Sequence, residues 1–312
     1  MPDPGRPVTG PGPGASEHRE RSALLESAVA AALLGTAAVV AGLVSRSGVV
    51  LFDGIYTLAG IALVGVSALA SRAAASRPSG RYPFGRHAAT PLAVVVQGAA
   101  LVATLLYGAA DAVGTLIAGG SDAGAVTMLV YGGASAAVSA VVAWRLRRRA
   151  ADSALVDAEV VSWWAGAAIS LAVGLGGVVA LVLARTGRDT AAGFVDPVLL
   201  LVVVVLVGRL PVRLLRDGMH ELLEGAPPPE VGARVRAAVD AARAAFDLPE
   251  PLVRATKLGR RLYVEVDFVV DRGRWDVDTE DEVRRAVAVR LRDLPFDVWA
   301  TVELTADPDL AA

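Results

Sequence analysis

The chain of 312 residues is 54% hydrophobic and carries a formal net charge of −2. Soluble domains average roughly 45–50% apolar residues even with glycine counted, so this composition and a mean hydropathy of +0.52 predict an integral membrane protein. The absence of cysteine excludes disulfides, thiolate metal sites and cysteine nucleophiles. Three scattered histidines are too few for a histidine-built metal site, and the near-neutral charge gives no reason to expect a nucleic-acid partner.

Residues 1–22 are rich in Pro and Gly and show no apolar periodicity, which is typical of a disordered tail. The first apolar run begins near Ala23 and continues for a full span, so no cleavable signal peptide is predicted. Six such runs, each about long enough to cross a hydrocarbon layer of roughly 30 Å, are predicted near residues 24–44, 48–69, 90–118, 123–144, 156–184 and 194–215. They make residues 23–220 an all-α transmembrane domain in the lipid bilayer.

The arginines fix the predicted orientation of these spans. They are concentrated in two of the connecting loops, as Arg72, Arg77, Arg81 and Arg86 after the second span and as Arg145, Arg147, Arg148 and Arg149 after the fourth. Because cytoplasmic loops carry an excess of positive charge, both termini are predicted to be cytoplasmic. The chain is therefore expected to be a multi-pass protein of the cell membrane.

Two of the spans share a polar pattern inside otherwise apolar sequence. The pattern is acid, hydroxyl and glycine at i, i+3 and i+7, and it occurs as Asp53, Tyr56 and Gly60 in the second span and as Glu159, Ser162 and Gly166 in the fifth. This spacing places the three residues on one face of a helix. Since ionisable groups at membrane depth normally face protein or water, the two faces are predicted to form one polar site.

A small soluble domain is predicted after the last span. Residues 221–229, which end in three prolines, have the character of a linker. Within residues 230–308, the periodicity predicts a helix over Glu230–Phe246, a hairpin of Leu252–Lys257 and Arg261–Val270, a helix through Leu291 with Thr279 as its N-cap, and a strand at Val298–Leu304. The order α-β-β-α-β fits two helices packed on one sheet, an α+β fold.

Several motifs now point to a family. They are Tyr82-Pro83-Phe84-Gly85-Arg86 in the arginine-bearing loop, Asp196-Pro197 at the start of the sixth span, and the exit sequence Leu222 to Pro227. With six spans and the α-β-β-α-β tail, the chain from Leu24 to Pro308 resembles the cation diffusion facilitator, or cation efflux, family. The resemblance implies a homodimeric divalent-cation/proton antiporter, a tetrahedral metal site made by a His-or-Asp-x-x-x-Asp pair on each of spans two and five, and a metallochaperone-like cytoplasmic domain that helps to hold the dimer.

The resemblance also shows where this chain departs from the family. The family's ligand positions fall on Tyr56, Gly60, Ser162 and Gly166, and an acid that commonly precedes each pair falls on Asp53 and Glu159. None of the four ligand positions holds a normal zinc ligand. The loop motif ends in Arg86 where the family has histidine, and the soluble tail has no histidine. The match therefore favours the family fold and disfavours the usual zinc site.

Without the usual zinc ligands, the carboxylates are the main candidates for cation binding and proton exchange. Asp53, Glu159 and Asp111 are the candidates for proton coupling, because an acid at membrane depth can trade a proton for a cation. Oxygen ligands suit Mg, Mn or a hydrated cation better than zinc. Alternatives stay open for each position: span ends or helix caps for Asp157, Glu159 and Asp196, a polar link between helices for Asp111, and close helix packing for Gly60 and Gly166. Tyr131 and Trp163 are interpreted as interfacial anchors or packing groups and His87 as a solvated loop residue.

Two functions therefore remain. The first is a secondary transporter that exchanges a cation of unknown identity for protons at an oxygen-rich site around Asp53 and Glu159. The second is a transport-inactive dimeric membrane scaffold or regulatory relative. The sequence contains no Ser/His/Asp arrangement, HExxH motif or phosphate-binding loop in a suitable context. We therefore expect neither an enzyme nor a bound cofactor.

Overall fold

The computed structural model describes residues 13–122, 124–149 and 154–311. Most of the predicted tail, residues 1–12, lies outside this range. The first helix, α1, begins at Pro13, so the later part of the predicted tail is helical. The long helices are α1 (Pro13–Ser45), α2 (Gly48–Ala74), α3 (Ala89–Ile117), α4 (Ala125–Arg149), α5 (Ala154–Arg185) and α7 (Val195–Leu222), with a short α6 (Asp189–Gly193) before the last of them.

Six helical stretches among the described residues are long and apolar enough to cross a membrane, which confirms the six predicted spans. The chain divides into two compact units. Of the described residues, the first unit contains those up to 64 and those between 100 and 211, and the second contains residues 65–99 and those after 211. The division falls inside α2, α3 and α7. The predicted linker at 221–229 stays a prediction, although α7 ends at Leu222 and α8 begins at Pro229.

Glycines allow the helices of the first unit to approach closely. A Cβ added to Gly177 on α5 would lie 2.8 Å from the carbonyl oxygen of Ala125 on α4, and one added to Gly54 on α2 would lie 2.6 Å from the backbone nitrogen of Val39 on α1. Such distances are too short for any side chain larger than hydrogen. Around these contacts lies a buried apolar cluster that includes Ala38, Val49, Val50, Phe52, Leu105, Met128, Val173 and Leu200.

Asp196 caps a helix other than its own. Its carboxylate accepts hydrogen bonds from the Ser47 hydroxyl at 2.5 Å and from the backbone nitrogen of Gly48, the first residue of α2, at 2.9 Å. The side chain is buried, with only 3% of the residue exposed. Unpaired N–H groups at a helix N-terminus favour a negative charge, so the capping role considered for Asp196 is the one observed.

The second unit holds the predicted α-β-β-α-β domain. It consists of α8 (Pro229–Phe246), β1 (Leu252–Leu258), β2 (Arg261–Val269), α9 (Val277–Leu291) and β3 (Asp297–Thr305), followed by a 3-10 turn at Pro308–Leu310. The strand order is β1-β2-β3, with β1 antiparallel and β3 parallel to β2. One core, which includes Val235, Val239, Leu262, Val266, Phe268, Val283, Val287 and Leu291, fills the space between the helices and the sheet. The predicted fold class is confirmed.

The predicted N-cap of the second helix of this domain is wrong. Asp276 caps α9, because its carboxylate accepts from the backbone nitrogen of Thr279 at 2.9 Å and from the Thr279 hydroxyl at 2.6 Å. The two hydrogen bonds lower the pKa of the Asp276 carboxyl. Asp and Thr can both cap a helix by accepting from its free N–H groups. Asp276 comes three residues before Thr279 and takes this role, so the helix begins earlier than predicted and Thr279 lies in its first turn.

The loop between α2 and α3 packs on the β1–β2 turn and on β3 within the second unit. The Phe84 and Trp299 rings meet edge to face with centroids 6.0 Å apart. A Cβ added to Gly259, whose φ is +63°, would lie 2.7 Å from the carbonyl oxygen of His87. The His87 Nε2 atom is buried and has no hydrogen-bond partner among the described groups. The residue as a whole is half-buried, so the interpretation of His87 as a solvated loop residue holds only in part.

Candidate functional site

A cavity of about 680 Å³ lies within the first unit among α1, α2, α4 and α5. It is lined by all six residues of the repeated polar pattern, namely Asp53, Tyr56, Gly60, Glu159, Ser162 and Gly166. The periodicity placed each set of three on one helix face, and the packing of α2 and α5 in one unit brings the two faces to the same space. Their role in transport stays a prediction, but the six positions do share one site.

The two glycines leave the cavity open. A Cβ built on Gly60 or on Gly166 would meet no atom within 4 Å. Close helix packing was the alternative considered for both residues, and it is wrong for them. The close contact of α2 is made instead at Gly54, which approaches the α1 backbone.

Asp53 has a partner that the sequence did not reveal. The hydroxyl of Tyr131 on α4 donates a hydrogen bond to the Asp53 carboxylate. Tyr131 is 8% exposed, so of the two roles predicted for it the buried packing role is confirmed, and the hydroxyl adds a polar contact. A sequence signal exists, because Tyr131, Ser135 and Ser139 stand at i, i+4 and i+8 and form a polar stripe on α4.

Glu159 is held from α1. The Ser27 hydroxyl donates to the Glu159 carboxylate at 2.6 Å, and the Trp163 indole nitrogen donates to the Ser27 oxygen at 2.8 Å. Ser27 and Trp163 are both buried, and both line the cavity. This chain of hydrogen bonds orients the acid toward the interior of the unit. Glu159 therefore belongs to the cavity even though the apolar part of α5 begins at this residue.

The other carboxylates lie elsewhere. Asp111 and Asp196 line a second cavity of about 280 Å³ together with Arg46 and Ser47. Asp157 is exposed in the first turn of α5, as expected for a span end. Of the three predicted proton-coupling candidates, Asp53 and Glu159 thus share a cavity, and Asp111 is not part of it.

The cavity offers oxygen atoms and aromatic rings. Besides the two carboxylates, its lining includes the hydroxyl residues Ser27, Tyr56, Thr57, Ser139, Ser162 and Ser170. Within the described part of the chain, no group of three or more His, Asp or Glu side chains is placed to hold a metal ion. Two acids with surrounding hydroxyls can bind a cation by charge and hydrogen bonding, or can be neutralised by protons.

A comparison with protein families matches most of the chain. Residues 24–223, more than half of the chain, match the family model described as the cation efflux transmembrane domain. The matched segment contains both copies of the polar pattern and every residue that lines the cavity. None of the curated proteins matches the chain.

Proposed function

The chain belongs to the cation efflux family and has, among its described residues, six helical stretches that can cross a membrane, and from this premise we propose that it exports a cation in exchange for protons at the cavity between α2 and α5. One observation carries the proposal. Asp53 and Glu159, the acids of the two copies of the polar pattern, line the same cavity within the membrane-spanning part of the chain.

The exchange follows from the chemistry of a carboxyl group. In the protonated state each acid is neutral, which is the cheaper form at membrane depth. A cation that enters the cavity displaces the proton, and the carboxylate then balances its charge. Tyr131 and Ser27 donate hydrogen bonds to the two acids, and they would hold both side chains in place while the occupant changes.

The donor set favours cations that accept oxygen ligands. Carboxylates and hydroxyls suit hard or hydrated cations, whereas zinc sites use imidazole, thiolate and carboxylate in tetrahedral sets. The family's ligand positions hold Tyr56, Gly60, Ser162 and Gly166. We therefore propose an oxygen-rich site in place of the family's zinc site.

The same proposal includes the assembly and orientation of the protein. The distribution of arginine between alternate loops supports cytoplasmic termini in the cell membrane. The C-terminal domain has the order expected of the family's dimerising module, and this supports a homodimer.

A second candidate is the transport-inactive scaffold. It is favoured by the hydrogen bonds that both cavity acids already make within the protein. It is also favoured by the lack of a three-membered ligand group in the described residues. In this case the fold would serve assembly alone.

Flux in proteoliposomes decides between the two. We would load the vesicles with a pH-sensitive dye and add Mg, Mn, Fe, Co, Ni, Zn, Cd and permanently charged quaternary ammonium ions in turn, so that size and hardness both vary. We expect at least one cation to drive proton movement that Asp53→Asn abolishes and Asp157→Asn, at an exposed position of α5, leaves intact. Well-folded protein that moves no proton with any of these cations would favour the scaffold.

A further inference from the structure

The size of the cavity bears on the class of cation. A water molecule takes up roughly 30 Å³, so a metal ion with six waters occupies about 200 Å³. The cavity, at about 680 Å³, is several times larger. Sites for organic ligands typically enclose roughly 300–1,000 Å³, and the cavity falls within that range.

The walls of the cavity are unlike those of a metal site. Apolar side chains such as Leu24, Leu34, Ile61 and Ile169 line it alongside the two acids. A hydrated metal ion gains nothing from apolar walls, because its water shell must stay intact or be replaced by ligand atoms. An organic cation uses both surfaces, since its charge pairs with a carboxylate and its hydrocarbon part is removed from water.

Aromatic rings add to this preference. Tyr56 and Trp163 are both among the lining residues. Aromatic faces attract alkylammonium groups, and sites for quaternary ammonium ligands are commonly lined by such rings. Space is available too, because Gly60 and Gly166 bring no side chain into the cavity, and a Cβ at either position would meet no atom of another helix within 4 Å.

We propose that the site takes an organic ammonium ion with an apolar body rather than an inorganic metal ion. The inference rests on the proposed function, for which it names the substrate class. The charged nitrogen pairs with Asp53 or Glu159 and with the aromatic faces of Tyr56 and Trp163, and the apolar part of the ligand lies against the aliphatic walls.

Binding to the full-length protein in detergent tests the inference, with benzyltrimethylammonium as the probe because it is permanently charged and carries an aromatic ring. The key variant is Gly60→Leu, which places a bulky side chain in the cavity. Its matched control is Gly65→Leu on the same helix, where an added Cβ also meets nothing within 4 Å but the residue does not line the cavity. Gly166→Leu repeats the test from α5.

We expect calorimetry to detect benzyltrimethylammonium binding to the wild type and to Gly65→Leu. Gly60→Leu and Gly166→Leu should each weaken this binding by about tenfold or more, which corresponds to a loss of about 1.4 kcal/mol of binding free energy. Asp53→Asn should also weaken it. Absence of binding to the wild type, or equal affinities in Gly60→Leu and Gly65→Leu, would overturn the inference.

The flux assay separates this inference from the proposed function. If Mn²⁺ or another metal drives proton movement while benzyltrimethylammonium neither binds nor moves, the organic-cation site is wrong and cation–proton exchange stands. If benzyltrimethylammonium binds in a manner that Gly60→Leu abolishes but no cation drives flux, the site is supported and the exchange function is not.

Discussion

Tyr131 on α4 donates its hydroxyl hydrogen bond to the carboxylate of Asp53 on α2. A parallel contact joins Ser27 on α1 to Glu159 on α5. Each acid of the repeated pattern is therefore held by a hydroxyl from a helix that does not carry the pattern. Since a fixed donor keeps a carboxylate in one orientation, these two helices help to determine where a cation would bind.

The first prediction concerns the acids. Asp53→Asn should reduce proton-coupled flux to the level of empty vesicles, and Glu159→Gln should reduce it less, because Glu159 is the first residue of its membrane span whereas Asp53 lies more than one helical turn inside its own, which begins at Gly48. Folding should be preserved or improved, since a neutral side chain removes a desolvation cost at membrane depth. Dye-based flux and thermal unfolding in detergent measure the two effects. Wild-type flux in well-folded Asp53→Asn would remove the acid from the mechanism.

The second prediction concerns Tyr131. Tyr131→Phe removes one donor to a carboxylate and keeps the ring, so we expect flux to fall by about tenfold to a hundredfold, in line with hydrogen bonds to charged groups of roughly 1.5–3 kcal/mol. Flux in the Asp53→Asn background is already at the level of empty vesicles, so the coupling is measured by thermal unfolding in detergent, where Tyr131→Phe should destabilise Asp53→Asn less than it destabilises the wild type. The unfolding temperatures of the four proteins form a double-mutant cycle. Additive losses would show that Tyr131 acts independently of Asp53.

The third prediction concerns zinc. The wild type should show no stoichiometric, high-affinity zinc isotherm, whereas the combined variant Tyr56→Asp, Gly60→Asp, Ser162→His and Gly166→Asp should acquire one. The open space at both glycines gives the new side chains room to converge, and carboxylate with imidazole is a normal zinc ligand set. Calorimetry is the measurement. A tight isotherm in the wild type that is lost on altering Tyr56 or Ser162 would contradict this.

The fourth prediction concerns assembly. The C-terminal domain has the family's α-β-β-α-β order without any histidine, so its association should not depend on bound metal. We expect a homodimer by light scattering in detergent both with and without EDTA. A monomer in EDTA that dimerises when metal is added would show that the interface needs a cation after all.

The fifth prediction concerns pH and the loop before α3. Burial, and then the nearby Arg261 guanidinium, lower the pKa of His87, while Asp297 acts in the opposite direction. The native state thus binds fewer protons than the free loop, whose histidine titrates near its ordinary value of about 6.5. The resulting stability is complete above that pH and is lost as the pH falls below it.

Hydrogen exchange of the β1–β2 turn, which contacts His87 at Gly259, measures this dependence. Protection should decrease from pH 7 toward pH 5 in the wild type. His87→Gln cannot take up a proton, so its protection should vary much less over the same range. An identical profile in the two proteins would mean that His87 does not titrate in this window.

The sequence alone determined the features that depend on local periodicity. The six spans follow from the length of the apolar runs, and the α-β-β-α-β order follows from the change between helical and alternating patterns. The acid, hydroxyl and glycine spacing was likewise sufficient to predict that Asp53 and Glu159 lie on polar helix faces. Each of these features can be recognised within a single segment, without knowing which other segments it contacts.

Tertiary packing decided the rest, because it depends on which helices become neighbours. The hydroxyls that hold Asp53 and Glu159 come from Tyr131 and Ser27, which are 78 and 132 residues away in the chain, and no local pattern links such pairs. Packing also placed Gly54 against the α1 backbone and left Gly60 in open space. Two glycines six residues apart on one helix thus differ in role, since only the partner helix determines which of them has a neighbour.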